Sequence, residues 1–248
     1  MTRIHIADSS EALTLDAAET FVRVTTTAVE DRGRCAVALA GGGTPQALYR
    51  ALAHSPALRA RVPWHGIEFF WGDERVVPPD HADSNYRMAY DTMLSAVPVT
   101  RQQIHRVGTE LGDPAAAARE YEDDIRRSFD ADVQVPRFDL ILLGLGKDGH
   151  VASLFPGTTA LRESGRLCVE NWVPNLSAYR ITMTFPLLNQ ARVVVFVVSG
   201  PEKASIVRQV LRRTPSTSDL PAQLVRPSGD IVWMLDRDAA SGLRELGP

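Results

Sequence analysis

The chain has 248 residues, a formal net charge of −3 at pH 7, and 44% hydrophobic and 23% charged residues. This composition is that of a globular protein with a sizeable core, and its charge creates no global field that would attract nucleic acid or an anionic membrane. No apolar run approaches the roughly 20 residues that span a bilayer, and the N-terminus lacks a signal-peptide core, so we expect a cytoplasmic protein.

Apolar, β-rich segments alternate with helical patterns along the whole chain. They are RIHIA (3–7), CAVALA (35–40), IEFFWGD (67–73), FDLILLG (138–144), YRITMTF (179–185), RVVVFVV (192–198) and DIVWML (230–235). Several are apolar without strict alternation, as is typical of parallel strands covered on both faces. The pattern predicts one α/β domain over residues 1–248, with a Rossmann-like open, mostly parallel sheet and helices on both faces.

The helical segments carry start and stop signals. The first helix is predicted to begin at Glu11, after Ser9-Ser10, and to end at Gly33. A later helix has either Asp83 or Ser84 as its N-cap. Residues 214–230 are rich in Pro and Ser and are expected to form a surface excursion before the last strand.

The first candidate ligand site follows CAVALA, since open α/β sheets bind ligands beyond the carboxyl ends of their strands. The segment GGGTPQALYRAL (41–52) combines a glycine turn, a helix start and the hydroxyl of Thr44. Backbone N–H groups and the helix dipole at such a turn can hold an anion. It has no P-loop lysine, so a nucleoside triphosphate is not indicated. The alternative is a turn that only allows close strand–helix packing.

The second candidate follows IEFFW, where Asp73, Glu74 and Arg75 stand together. Such a charge cluster alone is typical of a solvated turn. Its place at a strand end makes it a candidate for the same ligand site. The helix start that follows is expected to bring Asn85, Tyr86 and Arg87 near this edge of the sheet.

The stretch GLGKDGHVASLFPG (144–157) allows two interpretations. Its glycines fit the G-x-G-x-x-G pattern of dinucleotide-binding proteins, which also requires a long helix after the third glycine. Pro156-Gly157 would end any such helix within about two turns. In the catalytic interpretation, Asp148 and His150 lie in a tight loop at the sheet edge, near a helix start. There a histidine can act as a general base on water and an acid can orient it.

Two basic residues complete the candidate set. Arg180 begins an apolar strand, where an arginine is costly unless it is paired or lies at the mouth of a site. Lys203 is predicted in the first turn of a helix, where its charge opposes the helix dipole unless an anion lies nearby. The alternatives are an arginine at an exposed edge and a solvated lysine.

Other chemistries lack their residue patterns. The chain has no G-x-S-x-G nucleophile elbow and no His-Glu-x-x-His, and His81 with Asp83 supplies only two potential metal ligands on one loop. The two cysteines, Cys35 and Cys168, have no metal-type spacing and are expected to be free thiols.

Taken in order, five blocks of the sequence resemble the 6-phosphogluconolactonases, within the wider family that includes the glucosamine-6-phosphate deaminases. They are GGGTPQALY, WGDERVVPPDHADSNYRMA, GLGKDGHVASLFPG, YRITMTFPLLNQA and SGPEKA. The deaminase pattern has Asp-Glu-Tyr where this chain has Asp73-Glu74-Arg75, and Asn-Glu-Pro near the position of Ser153-Leu154-Phe155-Pro156. Both differences favour the lactonases. Ala40 departs from the lactonase pattern, in which a serine is common before the glycines.

The resemblance implies hydrolysis of 6-phospho-D-glucono-1,5-lactone to 6-phospho-D-gluconate, in the oxidative pentose phosphate pathway and without a metal or cofactor. His150 would be the general base, Arg75 would face the oxyanion or the sugar hydroxyls, and either Asp148 or Asp73 would orient the histidine or the sugar. The residues that it implies for phosphate binding are Gly42, Gly43, Thr44, Arg180 and Lys203. It implies no nucleic-acid or membrane partner, and it leaves the oligomeric state open.

Overall fold

The computed structural model describes residues 2–129, 134–212 and 220–243. Its strands are β1 (Thr2–Ala7), β2 (Cys35–Leu39), β3 (Ile67–Trp71), β4 (Asp73–Arg75), β5 (Leu140–Leu143), β6 (Cys168–Val173), β7 (Ala178–Met183), β8 (Val193–Val198) and β9 (Asp230–Asp236). Its α-helices are α1 (Ser10–Arg32), α2 (Gly43–His54), α3 (Pro56–Arg59), α4 (Asn85–Thr92), α5 (Pro114–Ser128), α6 (Phe185–Leu188) and α7 (Ala204–Arg212). Short 3-10 helices lie between several of them.

A parallel sheet of six strands, in the order β1-β9-β8-β5-β2-β3, forms the centre of the fold. Side chains of β2 alternate between its two faces: Ala36 and Ala38 belong to one core cluster, Val37 and Leu39 to the other. Helices α1, α2 and α4 contribute to the cluster of Val37, and α5 and α7 to the cluster of Ala36. The predicted α/β class, with helices on both faces, is therefore confirmed.

The segment YRITMTF forms a strand, as predicted, but that strand lies outside the parallel sheet. It is β7, which pairs antiparallel with β4 and β6 in a separate three-stranded sheet. The sequence did not predict β4 or β6. A strand of three residues, Asp73–Arg75, is too short to show a period, and hydrophobicity does not specify a strand's partner.

Helix boundaries follow the predicted capping residues. Ser9 accepts a hydrogen bond from the backbone N–H of Ala12 at 3.2 Å, and Gly33 ends α1 with φ of 71°. Of the two candidate caps for α4, Ser84 has the role: its hydroxyl oxygen accepts from the N–H of Arg87 at 3.1 Å.

The segment 214–230 is only partly a surface excursion. Residues 214–219 lie outside the described ranges. In the described part, Ala222 and Gln223 are buried, and the N–H of Ala222 donates to the carbonyl of Gly149 at 3.0 Å. The prediction is wrong for this part, because these residues support the loop that contains His150.

Two predictions from composition can be compared with the structure. Cys35 and Cys168 are both buried free thiols. Within the described residues, no helix combines the length and the apolar character that a membrane crossing requires.

Candidate active site

A cavity of about 760 Å³ opens where the central strands end. Segments that follow β2, β3, β5 and β8 line it, so the predicted site residues come together at the carboxyl edge of the sheet. The predicted residues that line it are Gly42, Gly43, Thr44, Asp73, Arg75, His150, Arg180 and Lys203. Asp148 is not among the lining residues; it reaches the cavity through His150.

Two buried tyrosine hydroxyls hold the backbone where the sheet opens into the cavity. The hydroxyl of Tyr49 accepts from the N–H of Ala40 at 2.9 Å and donates to its carbonyl at 2.8 Å. The hydroxyl of Tyr121 makes the same two bonds to Trp71, at 2.7 and 2.8 Å. Burial raises the pKa of both hydroxyls, so both remain protonated donors. They fix the backbone that leads into Gly41 and Gly72.

The glycine turn after β2 presents an uncapped helix start to the cavity. Gly42 has φ of 103°, a conformation that glycine adopts without strain, and no side chain caps α2. First-turn N–H groups have no intrahelical partner, so those of Gly43 and Thr44 can meet an anion. Gly41 has a different constraint: a Cβ there would lie 1.9 Å from Oδ1 of Asn85.

His150 and Asp148 form a close pair. Nδ1 of His150 lies 2.6 Å from Oδ1 of Asp148, which also accepts from the His150 N–H at 3.2 Å. The imidazole stacks on Phe155, with ring centroids 4.0 Å apart. Burial opposes ionisation of Asp148, but the charge and hydrogen bonds of His150 outweigh it and lower the pKa of this carboxyl. With Nδ1 held by the carboxylate, Nε2 is the ring nitrogen left for chemistry.

The glycines of this loop serve local geometry. A Cβ on Gly146 would lie 2.0 Å from Nδ1 of His150 and 2.6 Å from Oδ1 of Asp148, so only glycine allows the pair to form. Gly149 has φ of 81°. Residues 144–158 contain no helix, which excludes the dinucleotide interpretation and also corrects the expectation of a helix start beside His150.

Asp73 and Asp148 occupy different environments. Oδ2 of Asp73 accepts from the hydroxyl of Ser153 at 2.6 Å, and its backbone carbonyl accepts from Nδ2 of Asn85 at 3.0 Å. Asp148 is the acid within hydrogen-bonding distance of His150. The structure thus separates two residues that the sequence left equivalent.

Arg75 and Arg180 are direct cross-strand neighbours in the small sheet. Like charges opposite each other destabilise a sheet unless something compensates them. Burial, and then the charge of Arg75, lower the pKa of Arg180. Among the described residues neither guanidinium has a carboxylate within 4.0 Å, so this pair is suited to an anionic ligand.

Lys203 lies at the end of a 3-10 turn, Pro201–Lys203, directly before α7. Its Nζ donates to the carbonyl of Leu145 at 2.8 Å, which points the ammonium toward the His150 loop. Burial lowers the pKa of Lys203; the charge of Glu202 opposes this shift, and that of the nearby Lys147 adds to it. An anion between the two lysines would relieve both effects.

Several lining residues were not predicted to belong to the site. They are Lys147, Ser153, Phe155, Leu176, Ser199 and Glu202. A signal existed for five of them: Lys147, Ser153 and Phe155 belong to the GLGKDGHVASLFPG stretch, and Ser199 and Glu202 belong to the SGPEKA block. Leu176 lies on the turn between β6 and β7 and had no signal, because neither the turn nor β6 was predicted.

Known proteins similar to this chain share its whole architecture. Residues 8–233 match the family described as glucosamine-6-phosphate isomerases/6-phosphogluconolactonase. A protein of Synechocystis sp. named 6-phosphogluconolactonase is 42% identical over 221 residues, which are 88% of this chain and 89% of that protein. A Nostoc sp. protein of the same name is also 42% identical over 221 residues, 88% of each chain. The structure titled 6-phosphogluconolactonase from Trypanosoma cruzi superimposes with a TM-score of 0.85 at 29% identity, covering 98% of this chain and 97% of that one.

Proposed function

The chain belongs to the family of glucosamine-6-phosphate isomerases and 6-phosphogluconolactonases, and we propose that it hydrolyses 6-phospho-D-glucono-1,5-lactone to 6-phospho-D-gluconate in the oxidative pentose phosphate pathway. One observation carries this proposal: the His150–Asp148 pair shares a cavity with Arg75, Arg180 and Lys203. A base beside two arginines that have no carboxylate within 4.0 Å among the described residues suits water attack on an anionic ester.

In the proposed reaction, Nε2 of His150 removes a proton from water as the water oxygen bonds to the lactone carbonyl carbon. The carbonyl oxygen becomes an oxyanion, and Arg75 is proposed to face either this oxyanion or the sugar hydroxyls. When the oxyanion collapses, the bond from this carbon to the ring oxygen breaks, and His150 returns its proton to that oxygen. The product is a carboxylic acid that ionises at neutral pH.

The phosphate of the substrate is proposed to bind between two strand ends. Gly42 and Gly43 would donate backbone N–H groups, Thr44 a hydroxyl, and Arg180 and Lys203 positive charge. The uncapped start of α2 and the lowered pKa values of both cations support this placement, because a dianion would satisfy all of them. Ala40 supplies no side-chain donor, so the backbone N–H groups and the Thr44 hydroxyl are the proposed phosphate donors at the glycine turn.

Asp148 is proposed to orient the imidazole, and Asp73 to hold Ser153 against the substrate. The 2.6 Å contact of Asp148 with Nδ1 favours the tautomer that leaves Nε2 free to accept a proton. The equally short contact of Asp73 is with Ser153. No covalent intermediate is required, because a δ-lactone already hydrolyses in water and positioning lowers the remaining barrier.

The proposed reaction is tested by generating the lactone in situ from glucose 6-phosphate and measuring formation of 6-phosphogluconate, corrected for spontaneous hydrolysis. We expect a large acceleration over the uncatalysed rate. We also expect no ammonia from glucosamine 6-phosphate under the same conditions. Ammonia release without lactone hydrolysis would assign the chain to the isomerase branch of the family instead.

Replacing Asp148 by asparagine is expected to lower kcat/KM by about 100-fold, because the amide cannot hold the imidazole in the required tautomer. The control is Asp16→Asn, since His5 and Asp16 form an exposed pair of the same 2.6 Å length outside the cavity. Equal activity of the two variants would exclude the orienting role.

The same variant has a predictable effect on stability. Because the pKa of Asp148 is lowered on folding, its contribution is present above the ordinary aspartate range and is lost as pH falls through the lowered value. This partly exposed pair contributes at most about 1 kcal/mol. The unfolding temperature of Asp148→Asn should therefore lie slightly below that of the wild type at pH 7. Well below pH ~4 the two temperatures should be equal.

We further propose that residues 1–248 act as one domain in a reducing compartment such as the cytoplasm. Pairing of β1 with β9 joins the first and last strands of the chain, and both buried cysteines are free thiols. The proposed partner is the phosphorylated sugar lactone, and we propose neither a nucleic-acid nor a membrane partner.

A further inference from the structure

Glu74, the middle residue of the D-E-R stretch, is almost completely buried, with 2% of its surface exposed. In the described part of the chain it has no cation within 4.0 Å. A buried carboxylate without an ion pair must be held by hydrogen bonds. Those bonds go to the two segments that carry Arg75 and Asn85 into the cavity.

Four donors surround this carboxylate. Oε1 accepts from the N–H groups of Arg75 at 2.7 Å and Asn85 at 2.8 Å. Oε2 accepts from the N–H of Tyr86 at 2.7 Å and the hydroxyl of Ser84 at 3.1 Å. The hydroxyl of Ser84 is committed to donating, because its oxygen already accepts from the backbone of α4. Burial raises the pKa of Glu74, and the three N–H groups act against this shift.

The carboxylate therefore joins β4 to the start of α4, and both residues that it anchors line the cavity. Asn85 is further confined by the carbonyl of Asp73, to which its Nδ2 donates, and by Gly41, whose hypothetical Cβ would clash with its Oδ1. Arg75 is confined through its guanidinium, which donates to the carbonyl of Asp83. Each contact depends on the spacing of β4 and α4.

We propose that Glu74 is a positioning residue for the reaction: its carboxylate holds Arg75 and Asn85 at the geometry that the substrate requires. This inference rests on the proposed function. Glu74 is not among the residues that line the cavity, and it acts through the backbone of Arg75 and Asn85, which do line it. All four of its partners are donors, so the position demands four acceptor sites.

The Glu74→Gln substitution tests the need for four acceptor sites, because glutamine has nearly the same shape as glutamate. In Glu74→Gln one oxygen becomes an NH₂ group that faces two donors, so the start of α4 must move away from β4. We expect kcat/KM for the lactone to fall by about 10- to 100-fold, since displacements near 1 Å have effects of this size. Hydrogen exchange of the backbone amides of residues 75, 85 and 86 should accelerate.

The matched control is Glu122→Gln. Glu122 is also buried and accepts from the N–H groups of Leu167 and Cys168 and from two arginines, yet it does not line the cavity. It should lose thermal stability but keep kcat/KM within about twofold of wild type. If both variants lose activity in proportion to their loss of stability, Glu74 is merely structural and the proposal is overturned.

A double-mutant cycle that combines Glu74→Gln with Asn85→Ala measures whether the effect of Glu74 on kcat/KM depends on Asn85. If Glu74 acts partly through Asn85, the effects of Glu74→Gln and Asn85→Ala on kcat/KM are less than additive, whereas additivity within about twofold would contradict the proposal. Should Glu74→Gln fail to fold, Ser84→Ala removes one donor, and wild-type kinetics in that variant would overturn the inference.

Failure of the two proposals can be distinguished. An inactive wild-type protein whose amides 75, 85 and 86 still lose protection in Glu74→Gln would refute the lactonase reaction and leave the anchoring role intact. An active wild type with an equally active, equally protected Glu74→Gln would refute the anchoring role alone.

Discussion

Replacing His150 by alanine is expected to lower kcat by about 10²- to 10⁴-fold, the range that a positioned general base contributes. Among the described residues that line the cavity, His150 is the histidine, and a carboxylate holds its Nδ1 while Nε2 is left for a proton. KM should change little, because the histidine is proposed to act on water and not on the phosphate. Initial rates at saturating lactone, corrected for spontaneous hydrolysis, measure the effect.

The chain supplies a matched control for this experiment in His5→Ala. His5 and Asp16 also lie 2.6 Å apart, on the surface and away from the cavity. This variant should retain wild-type kinetics. Near-wild-type activity of His150→Ala, with its fold intact by circular dichroism, would exclude His150 as the base.

Replacing Arg180 by alanine is expected to raise KM for the lactone by about 100-fold, since removing one partner of a buried ionic contact costs about 2–5 kcal/mol. The guanidinium is half-buried opposite Arg75, and it has no carboxylate partner among the described residues. In the absence of ligand its burial is unfavourable. The phosphate should therefore recover that free energy on binding.

Arg180→Lys separates charge from geometry. Lysine keeps the charge but not the two-pronged donor arrangement, so it should restore affinity only in part. Inhibition by inorganic phosphate provides a readout independent of chemistry, and it should weaken in parallel with KM. Unchanged KM and unchanged phosphate inhibition in Arg180→Ala would remove this residue from the anion site.

The two predictions probe different parts of one reaction cycle. Loss of kcat with constant KM indicates a group that acts in the transition state, whereas a rise in KM with constant kcat indicates binding shared by substrate and transition state. If His150→Ala loses kcat and Arg180→Ala raises KM, the cavity contains both a proton-transfer group and an anion-binding group.

Features governed by neighbours in the chain could be predicted from the sequence. The caps at Ser9 and Gly33, the turn at 41–43 and the alternation of strands with helices each depend on contacts within a few residues. Asp148 and His150 are two residues apart in a glycine-containing loop, so the sequence indicated that they could meet but did not rank Asp148 above Asp73. The family resemblance depends on the same local blocks.

Features that depend on strand pairing could not be predicted. The opposition of Arg75 and Arg180 requires the register of β4 on β7, and the contact of Asp73 with Ser153 joins residues 80 positions apart. Glu74 looked like part of a solvated turn, yet it is buried against the start of α4. Sequence patterns report which residues prefer water or the core, but a charged residue can be buried wherever tertiary structure supplies enough donors. The sequence by itself thus determined the turns and most of the strands and singled out His150 as a candidate base, and the tertiary structure decided which acid lies beside that histidine and what holds Arg75 at the cavity.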